Sequence, residues 1–134
     1  MRVLEDADAL GIDVFNCTFK ANVAIASRDG YIGIDFSRLE TQAEVNTVLS
    51  HEMGHILSGA FYHPENPFDV RGRAESRADS TAFRRYVPYD EMLMCFKRGV
   101  TQQWELAEHF GLTEESIIKA YLYYKDVCGY EFEV

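Results

Sequence analysis

Cysteine is scarce in this 134-residue chain, and Cys17, Cys95 and Cys128 stand far apart. An odd number of thiols with no CxxC pair predicts neither a disulfide framework nor a cysteine-ligated zinc knuckle. They read as reduced, small apolar residues in or near the core of a cytoplasmic protein. No apolar run approaches the roughly 20 residues that a bilayer-spanning helix needs. Glu5, Asp6 and Asp8 fall where a secretory leader would be basic and then apolar, so none is expected. Cations are also few, with 13 Lys and Arg against 22 Asp and Glu, a formal charge of −9. Affinity for a phosphate backbone rests on neutralising phosphates, so direct nucleic-acid binding is disfavoured. Aromatics are plentiful, with nine Phe and eight Tyr, and 47% of residues are hydrophobic, which excludes a disordered chain. The length predicts one compact domain over 1–134.

Residues Leu4 to Leu10 have helical spacing and stop at Gly11, and the run Ile12 to Cys17 is strand-like. The runs 22–26 and 31–36 flank Asp29-Gly30, a hairpin signal, because glycine adopts positive φ without strain. The period then becomes helical. Thr41 with Glu44 forms a capping-box pattern, Val45, Val48, Leu49, Ile56 and Leu57 trace a stripe, and Gly59 offers a stop. Residues 61–73 hold Pro64, Asn66, Pro67 and Gly72 and read as an irregular loop. Further helices are expected over about 73–86, from Pro88 to Gly99, and over about 101–110 and 113–126. The order predicts an α+β, mainly helical domain. About three antiparallel strands should lie beside the helix of residues 41–58, with an edge strand along a cleft. Residues 51–55 within that helix read HExxH, so a zincin-like core is expected over about 1–99, with a C-terminal helical pair over 100–127 and a tail over 128–134.

Chemistry concentrates in His51-Glu52-Met53-Gly54-His55. Histidines at i and i+4 project from one helix face and can reach one metal ion, while Glu52 lies about 100° round the helix. That position suits a general base beside a metal-bound water. Catalytic zinc takes three protein ligands, and Glu75, 20 residues past His55, is placed to be the third. Asp79 follows one turn later and can accept the second ring N–H of a ligating histidine. Gly54 costs about 0.8–1 kcal/mol in a helix. A neighbour approaching where no Cβ stands is one reading of it, and a tolerated glycine the other.

The HEMGH segment, the run Glu75-Ser76-Arg77-Ala78-Asp79-Ser80-Thr81-Ala82-Phe83, the Val87-Pro88-Tyr89-Asp90 stretch and the preceding strand and hairpin resemble the ImmA/IrrE family of bacterial and phage metallopeptidases. The resemblance spans about residues 3–125. It implies one zinc held by His51, His55 and Glu75, with Glu52 as catalytic base. It also implies a role in gene regulation, through cleavage of a helix-turn-helix repressor of a phage or mobile element. The rival expectation is a metal-containing regulatory module that sequesters its partner without cutting it.

Ala107, Gly111 and Ile117 have the offsets of a helix-turn-helix. Residues 101–134, however, carry two lysines against seven acids, and Glu114-Glu115 would open the recognition helix. Such a surface repels phosphates, so the pair is expected to be structural or to dock a protein. Tyr62, His63, Tyr86 and Tyr89 are rival donors for a developing oxyanion.

Overall fold

The structure, a computed structural model, describes residues 2–133; Met1 and Val134, the ends of the expected single-domain span, lie outside the described residues. Among the described residues six α-helices accompany a small sheet: α1 (Arg2–Ala9), β1 (Asp13–Asn16), β2 (Ala24–Ser27), β3 (Tyr31–Ile34), α2 (Gln42–Ser58), α3 (Phe68–Tyr86), α4 (Tyr89–Lys97), α5 (Gln103–Phe110) and α6 (Glu114–Leu122). The architecture is α+β.

The local signals act where they occur. Thr41 caps α2, its side chain accepting from the Glu44 N–H, and Gly59 closes that helix in the left-handed region at φ 70°. Gly30 takes φ 91° in the β2–β3 turn. α3 begins at Phe68, five residues before the expected start, because Pro67 takes the N-cap and Gly72 is absorbed into the helix with open space around it.

The sheet is mixed, not wholly antiparallel. Its order is β1-β3-β2, with β2 antiparallel and β1 parallel to the central β3. Residues 17–23 carry the chain across the face of β3 to its far edge. Gly33 leaves room for the side chains of that crossing, since a Cβ there would stand 3.1 Å from the Phe19 ring and 3.2 Å from Cys17 Sγ. The opposite face presents Ile32 and Ile34, fully buried against Leu49, Met53, Ala82 and Tyr86 of α2 and α3. Hydrogen bonding in β2 starts with the Asp35 N–H on the Val23 carbonyl. Antiparallel alternation then turns the polar backbone of Ala24 and Ala26 away from β3, along a free edge.

A second apolar cluster, built from Val87, Met92, Leu106, Phe110, Leu112, Ile117 and Ala120, joins α4, α5 and α6. This helical pair docks on the first turns of α2. Asn46 Nδ2 donates to the Gly111 carbonyl at 2.7 Å, and the Thr113 N–H donates to Thr47 Oγ1 at 3.0 Å. The segment expected as a tail packs back onto the helices: Tyr130 stacks on Tyr124, Phe132 meets Tyr121 and Phe96, and the Tyr89 hydroxyl donates to the Glu131 carbonyl.

Candidate metal centre

The pairing of α2 with α3 builds the site. Gly54 lies where the two helices touch, and a Cβ built there would stand 2.1 Å from the Ala78 carbonyl oxygen. This close approach brings residues 75 and 79 of α3 over residues 51 and 55 of α2. His51 Nε2 lies 2.7 Å from Glu75 Oε2, and His55 Nε2 lies 3.2 Å from Glu75 Oε1. The two imidazoles stand 4.8 Å apart, perpendicular to one another.

The other ring nitrogens are engaged away from the centre. His51 Nδ1 is 2.8 Å from Asp79 Oδ1, and His55 Nδ1 is 2.6 Å from the carbonyl oxygen of Ala60. With each Nδ1 occupied by an acceptor, each Nε2 is the nitrogen left for a ligand. One atom each from His51, His55 and Glu75 lies within 4.8 Å of the others, and this group can hold a metal ion. Two imidazoles and a carboxylate are a donor set that zinc accepts.

Electrostatics agrees with the geometry. Burial alone would lower the pKa of His51, but the Asp79 hydrogen bond and the charges of Asp79, Glu52 and Glu75 outweigh it and hold it at about 9. Glu52 is 7% exposed, and its Oε2 has no hydrogen-bond partner among the described residues. Burial pushes its carboxyl above the ordinary range and Glu75 adds to the effect, against the opposing charges of His51 and His55. An unpaired carboxylate oxygen at such depth is expensive in a purely structural role.

No protein-family model, curated protein or solved structure matches the chain. The geometry therefore carries the functional reading.

The cluster opens into a cleft of about 640 Å³. One side is the β2 edge, including Ala24, Ile25 and Ala26. The His55 end is bounded by Phe61, Tyr62 and Pro64, and the His51 end by Val48, Ala82, Phe83, Ser116 and Lys119. The helical pair thus contributes a wall of the cleft through α6. Of the four rival oxyanion donors, Tyr62 alone lines this cleft, and its hydroxyl donates to Glu75 Oε1 at 2.7 Å. Tyr86 is buried with its hydroxyl on Asp6, Tyr89 is held by the C-terminal segment, and His63 is turned to solvent. Sequence reasoning missed the Ala60 carbonyl and the Tyr62–Glu75 bond. Neither has a periodic signal, because both depend on the path the chain takes after Gly59.

Proposed function

We propose that the chain is a zinc-dependent endopeptidase of the ImmA/IrrE type that hydrolyses a protein substrate. The substrate class proposed is a helix-turn-helix repressor. The observation that carries the reading is the convergence of His51 Nε2 and His55 Nε2 on one Glu75 carboxylate, beside the buried, unpaired Glu52 oxygen. Zinc, when bound, supplies Lewis acidity to a carbonyl and lowers the pKa of a water. His51, His55 and Glu75 would hold it, with Asp79 and the Ala60 carbonyl fixing the imidazole orientations.

An extended peptide can pair with the outward N–H and C=O groups of Ala24 and Ala26, which would lay its backbone across the cluster. Glu52 then takes the proton of the attacking water and delivers it to the leaving amine nitrogen. A carboxyl raised by burial suits both transfers, since it accepts a proton readily and gives it up within the same turnover. The β2 edge lines the cleft, so a peptide paired with that edge would run along it rather than only present an end.

Charge supports a protein partner. The chain carries −9, and the helical pair that walls the cleft is itself acidic. Among the described residues no helix is long and apolar enough to cross a membrane.

The test is a paired capture from the host with wild-type protein and Glu52→Gln, reading the intact mass of what is recovered. A partner held whole by the variant and shortened by wild type supports cleavage. The same partner whole with both refutes it and leaves a regulator that acts by binding.

A further inference from the structure

Three consecutive residues after α2 each engage one of the proposed metal ligands. Gly59, at φ 70°, turns the chain back so that Ala60 is buried and its carbonyl meets His55 Nδ1. The Phe61 ring stacks on the His55 ring, with centroids 6.0 Å apart and planes at 30°. Tyr62 reaches across to α3, where its hydroxyl donates to Glu75 Oε1 at 2.7 Å. The segment is itself braced, because the Arg28 guanidinium from the β2–β3 turn lies 5.2 Å over the Phe61 ring.

We propose that Tyr62 is a positioning residue for the metal centre, which holds the Glu75 carboxylate in place for the ion through its hydroxyl. The inference deepens the metallopeptidase reading and rests on its ligand set, though not on peptide hydrolysis. The physical need is specific. Glu75 is the only one of the three ligands that stands on α3, and its side chain is 37% exposed. A half-exposed carboxylate with three rotatable bonds has many rotamers available, and each one that leaves the cluster lowers the occupancy of the third ligand position. Both histidines have a dedicated partner on Nδ1; for Glu75 the corresponding partner is Tyr62. The proton of the Tyr62 hydroxyl is committed to Glu75 and is therefore not free for a substrate oxygen, which separates this role from that of an oxyanion donor.

The test is zinc affinity, measured by competition with a chromophoric chelator on wild type, Tyr62→Phe and Tyr89→Phe. Tyr62→Phe keeps the ring and deletes one hydroxyl. It should weaken zinc binding by roughly 10–100-fold, the usual effect of losing a residue that orients a ligand. The visible absorption of the cobalt-loaded protein should change as well, since it reports the ligand field at the ion, which a distant packing defect does not alter. The far-ultraviolet circular dichroism of the apoprotein should stay as in wild type. Tyr89→Phe removes the same group outside the cleft and should leave affinity and spectrum unchanged. Wild-type zinc affinity and cobalt spectrum in Tyr62→Phe would overturn the proposal. So would a loss of turnover with unchanged zinc affinity, which would place the hydroxyl on the substrate. Wild-type protein that binds no zinc would overturn this proposal and the metal reading together. Tight zinc binding lost on Tyr62→Phe, in a chain that cleaves nothing, would uphold the proposal and refute only the peptidase.

Discussion

Replacing Gly54 with alanine sets two effects of opposite sign against each other. In a helix interior the change should stabilise by about 0.8–1 kcal/mol, because alanine loses less backbone entropy. At Gly54 the added Cβ meets backbone: the Ala78 carbonyl oxygen at 2.1 Å, its carbon at 2.9 Å and Cα at 3.2 Å. Ordinary contact begins near 3.4 Å, so the helices must separate by more than an ångström, and no flexible side chain is there to yield. Overpacking of this kind costs about 3 kcal/mol at the upper end of its usual range. The net loss is then about 2 kcal/mol, a fall of roughly 5–10 °C in melting temperature for a domain of this size. The displacement also withdraws Glu75 and Asp79 from His51 and His55, so zinc affinity should drop with stability. Differential scanning calorimetry of the apoprotein and a chelator competition read the two effects separately. A Gly54→Ala protein as stable as wild type, or more so, would refute the contact between α2 and α3 and the site built on it.

Glu75→Ala should lose most bound zinc, measured as metal per chain after dialysis; full retention would mean that another residue is the third ligand. The apoprotein should show a stability loss at alkaline pH that traces to His51. Its folded pKa of about 9 lies above the ordinary 6.5, so its contribution is full below 6.5 and is lost as the pH rises through about 9. Thermal melts across that window should show the decline, and His51→Gln should flatten it. At the other end of the scale, the Arg85 hydrogen bond lowers the pKa of Asp6, against burial and with help from the Tyr86 hydroxyl. Its folded pKa lies below the usual value, so that stability is present above about pH 3.8 and is lost as pH falls through the folded pKa. Asp6→Asn should cost about 1–2 kcal/mol near neutrality and reduce the acid sensitivity of the melt.

Legibility in the sequence followed the range of the forces involved. Thr41, Gly59, Gly11 and Asp29-Gly30 act on their own neighbours, and the elements they bound formed where expected. The His51/His55 and Glu75/Asp79 pairs were readable for the same reason, since helical geometry fixes which residues share a face. The parallel partner of β1 was not readable. It depends on the path of residues 17–23 over Gly33, which is set only in the folded chain. The early start of α3 was hidden because Gly72 looks like a loop residue, yet it stands exposed within the helix, where a glycine costs only about 1 kcal/mol. Gly54 left two readings open, and the Ala78 carbonyl decides for close packing. The Ala60 and Tyr62 contacts required the path of a loop, which no periodicity encodes.

Thr113, Ser116 and Lys119 wall a cleft whose proposed metal ligands lie between residues 51 and 75. On the ribosome, therefore, the ligand set is translated well before the surface that completes the cleft. Gly111 and Thr113, the anchors on Asn46 and Thr47, follow both histidines and Glu75 in the order of synthesis. The order of synthesis thus places the proposed ligands ahead of the last wall of the cleft, which is complete only once residue 119 has emerged.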